Sequence, residues 1–375
     1  MTSTFCAFAA LALLAYTYVG YPIAIGVLAR VRARRAPSAV GETPKASVSA
    51  FLPVYNGAAH LRAKLESLLA QDYPPELLEV LVYCDGCGDD SESMARAFAA
   101  EPRAAGRVRV FASAERRGKP AALNALRAEA QGELLLLGDV RQPLSAGSAR
   151  ALARALEDPQ VGCATGNLVL AGGAPSGVYW KYENWIRRQE SRFRGVVGMS
   201  GAIAMMRRAE LDPLPEGLIL DDVWIPARLG LRGKRVAFVA EAEAYDTAFD
   251  DDHEFRRKVR TLAGNYQLFA MVPALLAPFA NPFWFELVSK KVMRLVAPWL
   301  MLGLAVTSVA AAASGGRLAG FMGLLVAAQL GFYAAAAAGT RAGRLARVAR
   351  TFVVLNLAAV VGLVKHLSGR QRVTW

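Results

Sequence analysis

The sequence predicts an α/β fold with a parallel sheet, carried on a chain that also crosses a membrane. Leu134 to Leu137 are four consecutive leucines bounded by Gly132 and Gly138, the pattern of a strand buried on both faces of a parallel sheet. Around them, strand-like and helix-like segments alternate in βαβα order, which puts helices on both sheet faces. Outside that region run apolar stretches long enough to span a bilayer. At the carboxyl end of the leucine strand sits Asp139, where such a sheet opens its ligand crevice. Taken alone, Asp139 serves equally well as the start of a turn before Pro143.

Composition narrows the class. Hydrophobic residues make up 54% of the 375, and the mean hydropathy is +0.27, above the average for soluble domains. Lys and Arg outnumber Asp and Glu by 44 to 31, a net charge of +13. That excess suits nucleic acid, an anionic membrane or a phosphate-bearing substrate. Basic residues beside the apolar segments favour the membrane. No aromatic-rich RNA-binding motif or zinc spacing is present, so no nucleic-acid partner is expected. Of four cysteines, Cys84 and Cys87 form one C-x-x-C around Asp85. No second pair completes a zinc site, so they read as small loop residues or a redox dithiol.

Phe5 to Ala29 is apolar over about 25 residues, roughly 37 Å as a helix, followed by Arg30, Arg32, Arg34 and Arg35. The charge follows the apolar run, the reverse of a cleavable signal. Residues 1–35 are therefore expected to be an uncleaved anchor with its amino terminus outside, leaving the next domain cytoplasmic. After a polar linker from Pro37 to Lys45, strands are expected at Ser47–Val54, Leu78–Cys84, Arg107–Ala112 and Glu133–Leu137. Helices are expected over the stripe Leu61, Leu65, Leu68 and Leu69, and at Pro120–Ala130 and Ser148–Leu156. Beyond Val161 the pattern is mixed: a loop at Ala171–Tyr182, a strand at Val197–Met206, a helix at Asp222–Leu231 and a last strand at Arg235–Val239.

The remainder returns to the membrane. Glu254 to Met271 is basic and amphipathic, and Leu275 to Phe285 is rich in Pro and aromatics, as at a membrane–water boundary. Val292–Ala313 and Leu318–Ala338 are long enough to span; Phe352–Val364 is short and carries Asn356. That last segment is either a span or a re-entrant or interfacial helix. Four spans would put Lys365, Arg370 and Arg372 outside, against the charge rule, whereas Arg341, Arg344, Arg347 and Arg350 suit the cytoplasm. The division is then an anchor at 1–35, a cytosolic catalytic domain at 46–252, interface helices at 253–290 and a membrane region at 291–375.

Several side chains suit chemistry. Asp85, directly after a strand and beside Gly86 and Gly88, suits a base or ribose contact; helix capping fits Asp89 or Asp90 better. Lys119, near a helix start, faces phosphates or belongs to a solvated basic turn. Asp221 and Asp222 precede a helix, and capping needs only one of them; the other is free to act as a general base. Arg256, Arg257, Lys258 and Arg260 form either a lipid-headgroup patch or a diphosphate site.

In order, these motifs are F-L-P-V-Y-N-G, strand–Asp85–Gly86, R-G-K-P-A-A-L-N, G-D-V-R-Q, G-M-S-G-A, L-D-D and the basic helix. From about Ser47 to Gln267 they resemble the membrane-bound branch of glycosyltransferase family 2, which includes cellulose, chitin, hyaluronan and poly-N-acetylglucosamine synthases. The resemblance implies a GT-A (Rossmann-like) nucleotide-sugar-binding domain between one N-terminal and two or three C-terminal transmembrane helices. It implies inverting transfer from a nucleoside diphosphate sugar, usually a UDP sugar, in a multi-pass protein of the plasma (inner) membrane. Asp85 would contact uridine, Asn56 and Lys119 would line the donor pocket, and Asp139 would bind Mg²⁺ or Mn²⁺. Asp222, with Asp221 beside it, would be the catalytic base, and Arg257, Lys258 and Arg260 would brace the diphosphate and acceptor channel. An Asp near its ordinary pKa of about 3.9 is ionised at neutral pH, as that base requires.

Three departures stand out. Arg141 replaces the second carboxylate of the metal-binding D-x-D, leaving Gln142 to offer an oxygen. Asp221 stands where glutamate is usual. Arg257 and Thr261 replace the glutamine and tryptophan of Q-x-x-R-W. Losing that tryptophan favours one or a few transfers to a lipid-linked or glycan acceptor over processive synthesis with extrusion. A catalytically dead membrane scaffold is the reading of a different class.

Overall fold

The computed structural model describes residues 2–32, 45–171, 177–247, 251–339 and 343–369. Arg34, Arg35, Arg341, Arg370, Arg372 and most of the polar linker lie outside them. Contacts divide the chain into a helical unit (Met1–Ile25, Phe249–Ala270 and Phe285–Gln371) and a sheet unit built from Gly26–Ala248 and Met271–Trp284.

The first apolar segment forms α1 (Thr2–Ala15) and α2 (Tyr21–Val31), joined through a π-helical turn at Tyr16–Gly20. The sheet unit then alternates β1 (Val48–Val54), α3 (Ala58–Leu69), β2 (Leu78–Asp85), α4 (Ser91–Ala99), β3 (Val108–Ser113), α5 (Lys119–Glu129), β4 (Leu134–Leu137) and α6 (Ser148–Ala155). Its second half is β5 (Val161–Ala171), α7 (Gly177–Phe193), β6 (Ala204–Arg207), α8 (Asp221–Leu231) and β7 (Arg235–Thr247). Strand order is β3-β2-β1-β4-β6-β5-β7, so the leucine strand β4 is the middle one of seven. All four of its leucines are buried, each contributing about 1.5–3 kcal/mol of apolar transfer energy.

The sheet is mixed, which corrects the expectation of a parallel one. β1, β2, β3 and β4 pair in parallel, but β6 runs antiparallel to both β4 and β5. The Val197–Met206 strand shrinks to four residues because Gly198, Ser200 and Gly201 break the run into turns and an isolated bridge. In the other direction, β7 reaches Thr247, alternating buried Ala242, Ala244 and Asp246 with exposed or half-buried neighbours. The Ala171–Tyr182 loop is helical from Gly177 onward, while residues 172–176 lie outside the described chain.

The chain leaves β1 for β2 and β3 and returns to β4 on the other side of β1. That reversal opens a crevice between the carboxyl ends of β1 and β4. The turns there are packed: a Cβ on Gly57 would lie 2.9 Å from Val140 Cγ1.

The helical unit continues with α9 (Asp251–Met271), α10 (Trp284–Leu287), α11 (Met293–Ala313), α12 (Ala319–Ala338) and α13 (Gly343–Leu367). Among the described residues, four helical segments are long and apolar enough to cross a membrane: Thr2–Val31, Trp284–Ala313, Ala319–Ala338 and Gly343–Leu367. The fourth, short when judged by its apolar centre, gains length from its basic start, where Ala346 and Ala349 are buried. Small residues set the packing: Ala7 and Ala10 cluster with Leu304, Ala311 and Met322. A Cβ on Gly362 of α13 would lie 3.0 Å from the Ala263 amide of α9.

Candidate active site

Lys119 joins the acidic residues at the crevice. It opens α5 behind Gly118, whose φ of 90° suits glycine. Its Nζ lies 2.8 Å from Asp139 Oδ1 and 3.2 Å from Asp221 Oδ2. Burial alone would lower the pKa of this ammonium; Asp139, Asp221 and Asp222 reverse that and hold it above the usual lysine value. Gly201 packs closely against this pair: a Cβ there would sit 3.3 Å from Asp139 Oδ2 and 3.6 Å from Lys119 Nζ, crowding the carboxylate.

Asp221 and Asp222 are the first two residues of α8, after Leu220 at the N-cap, whose side chain makes no capping bond. Asp221 is 7% exposed and faces Lys119. The carbonyl of Asp222 accepts the Met199 amide at 2.9 Å, joining the Gly198–Gly201 turn to the helix start. Asp89, just before the N-cap Asp90 of α4, accepts from the first amides of α3 and α4, those of Ala58 and Ser91, and from the Ser91 hydroxyl.

Asp85 is fully buried. Its two carboxylate oxygens accept the amides of Arg117 at 2.8 Å and Gly118 at 2.7 Å. It thereby shapes the turn that delivers Lys119. Gly86 has φ +62°, and a Cβ there would press on the Arg116 amide at 2.6 Å. The Arg116 guanidinium stacks 3.6 Å over the Tyr55 ring. Asn56, at φ 48°, accepts the Gly88 amide through Oδ1 at 2.8 Å, tying the β1 and β2 turns together.

One short segment, Arg117–Lys119, therefore connects Asp85 to Asp139 and Asp221, with Asp222 next in the chain. Arg257, Lys258 and Arg260 lie on α9, in the helical unit. Sequence reasoning overlooked Gly201, although its motif was visible, and Arg187 on α7. Burial lowers the Arg187 pKa against the pull of Glu190, Glu183 and Asp222, and its guanidinium lies 4.7 Å over Phe238.

The family resemblance implies a divalent cation at Asp139. Arg141, in the second D-x-D position, turns to Asp246 at 2.5 Å, and Gln142 donates its amide to the same carboxylate at 2.8 Å. Among the described residues no three His, Cys, Asp or Glu gather as a ready metal cage. Asp139 is left as a single carboxylate, 34% exposed at its side chain. One carboxylate suffices for Mg²⁺ or Mn²⁺ when phosphate oxygens and water complete the shell.

Residues 49–213 match the profile of the family described as Glycosyl transferase family 2. An N-acetylglucosaminyltransferase of Rhizobium sp. (strain N33) is 31% identical over 220 residues, 56% of this chain and 48% of that protein. Another, from Rhizobium meliloti (strain 1021), is 30% identical over 182 residues, 46% of this chain and 41% of that protein. This chain thus spans about half the length of these curated relatives or less. A mannosyltransferase from Pyrobaculum calidifontis, solved with GDP-Man and Mn²⁺, superposes with a TM-score of 0.75 at 25% identity, covering 96% of this chain and 99% of its own. The likeness to glycosyltransferase family 2 thus falls within the sheet unit, at residues 49–213.

Proposed function

We propose that the protein is a membrane-bound inverting glycosyltransferase. It moves a sugar from a nucleoside diphosphate sugar, a UDP sugar, to a lipid-linked or membrane-associated acceptor, in exopolysaccharide or glycolipid assembly. The observation that carries this reading is the placement of Lys119 between Asp139 and Asp221, beside Asp222, at the end of the central strand. Two features support the membrane setting: four helices able to span, and a basic amphipathic α9.

In the reaction, the acceptor hydroxyl forms its bond to the anomeric carbon as the bond to the diphosphate breaks. Asp222 takes the hydroxyl proton. Lys119 holds a positive charge beside the departing diphosphate and keeps Asp139 and Asp221 from repelling each other. Asp85 and Asn56 fix the turns against which the nucleoside rests, and Arg257, Lys258 and Arg260 contribute further positive charge for diphosphate or acceptor. Asp139 would hold a divalent ion, whose charge would neutralise the leaving group.

The test is release of nucleoside diphosphate from a panel of UDP and GDP sugars by purified protein, with product mass read alongside. Asp222→Asn is expected to lower turnover by about 10²–10⁴-fold with donor binding nearly intact. Equal turnover in that variant removes Asp222 as the base. Long products made without release favour processive synthesis, and no transfer with any donor, Mg²⁺ or Mn²⁺ leaves the scaffold reading.

A further inference from the structure

Among the largest fully buried side chains, one is charged: Lys64, 1% exposed. Helical spacing places it on the apolar face of α3 with Leu61, Leu65 and Leu68. Its Nζ donates to the Gln142 carbonyl at 2.6 Å. The same Nζ lies 3.1 Å from where a Cβ on Gly138 would stand. Lys64 thus reaches both ends of the five-residue turn whose second residue is Asp139. The other flank of that turn is held from β7, where Asp246, 5% exposed, accepts from both Arg141 and Gln142 and from its neighbouring Thr247 amide.

A lysine is a poor choice for stability in this place. Burial lowers its pKa to about 7 even with Asp139 pulling it back up, and a methionine would fill similar space without that penalty. What a methionine lacks is a donor for the Gln142 carbonyl. Tethering the turn is therefore the service that only the lysine performs.

We propose that Lys64 is a positioning residue: by tethering the Gly138–Gln142 turn it fixes the Asp139 carboxylate where a cation-bound diphosphate meets it. This rests on the donor-binding reading above. Positions that orient a metal ligand commonly change affinity by about 10–100-fold when mutated.

The experiment titrates UDP and GDP, with and without Mn²⁺, into full-length wild-type protein, Lys64→Met and Asp246→Asn in detergent, with melting curves for each. The expected result is a Kd in Mn²⁺ weakened about tenfold or more in Lys64→Met, with weaker Mn²⁺-independent binding unchanged and Tm not lowered. Wild-type affinity in Lys64→Met overturns the proposal. So does a parallel loss of Tm and of binding with and without Mn²⁺, which marks a purely structural lysine. Should Lys64→Met not fold, Asp246→Asn decides: severalfold weaker Mn²⁺-dependent binding supports the tether, and unchanged binding overturns it. Wild-type protein that binds neither nucleotide overturns the donor-binding reading and this one together.

Discussion

On the crevice side of the turn after β4, Lys119 meets Asp139 and Asp221 at 2.8 and 3.2 Å. On the helix side of the same turn, Lys64 meets a carbonyl among leucines. The first ammonium is held charged by its carboxylates, while the second is pushed by burial toward losing its proton. Both lysines are removed from bulk water, so burial alone does not decide the outcome. The number of anions within reach does. Lys119 supplies charge to a site that needs it, and Lys64 supplies a hydrogen bond at an electrostatic cost.

The largest expected effect comes from removing the crevice lysine. Lys119→Met leaves Asp139 and Asp221 facing each other without the cation they share. Turnover is expected to fall by about 10²–10³-fold, measured as nucleoside diphosphate release at saturating donor. Breaking a buried ion pair also destabilises by about 3–5 kcal/mol, so Tm should drop as well. The raised pKa of Lys119 gives stability that is complete below the unfolded lysine value near 10.5 and lost as pH climbs past it. If Lys119→Met keeps its rate, the two lysines differ in environment but not in function.

Next in size is a difference in pH response. Folded Lys64 releases its proton near pH 7, whereas the unfolded chain keeps it to about 10.5. Stability therefore rises with pH across that window, since the unfolded state binds the extra proton. Between pH 7 and 8.5 the gain is about 2 kcal/mol, or roughly 4–8 °C in Tm. Lys64→Met should lose this rise and melt higher than wild type at pH 6. Equal pH slopes in the two proteins would mean that Lys64 is better solvated than its surroundings suggest.

The asymmetry also shows what the sequence could carry. The leucine strand was legible because uninterrupted apolar residues leave no other way to satisfy both faces of a sheet. Asp139, Asp221, Asp222 and Lys119 were legible as a set through motif order, though not their contacts: Lys119 reaches an aspartate about a hundred positions away. The last eight residues of β7 were left out of the strand because alanine and glutamate are weak strand formers. Lys64 sat in plain view at helical spacing from Leu61 and Leu68, but a lysine there is ordinarily assumed to extend its amine to water. Arg141 was read as a damaged metal motif; its partner Asp246 lies on a strand whose extent was underestimated.

The smallest expected effect lies on the same helix as Lys64, two residues earlier. Arg62 faces solvent, with 57% of its side chain exposed, and pairs with Glu66 at 3.3 Å and Glu101 at 3.0 Å. By count it has more anionic contacts than Lys64, and its guanidinium also lies 5.6 Å over Phe98. Exposed pairs in high dielectric are nevertheless worth about 0–1 kcal/mol. Arg62→Ala should therefore shift Tm by at most about 2–4 °C, leave nucleotide binding unchanged and show no new pH slope. A loss of Mn²⁺-dependent UDP binding in Arg62→Ala would show that any cation on α3 influences the crevice through its field. The specific tether from Lys64 to the Gln142 carbonyl would then no longer be needed to explain the Lys64→Met result.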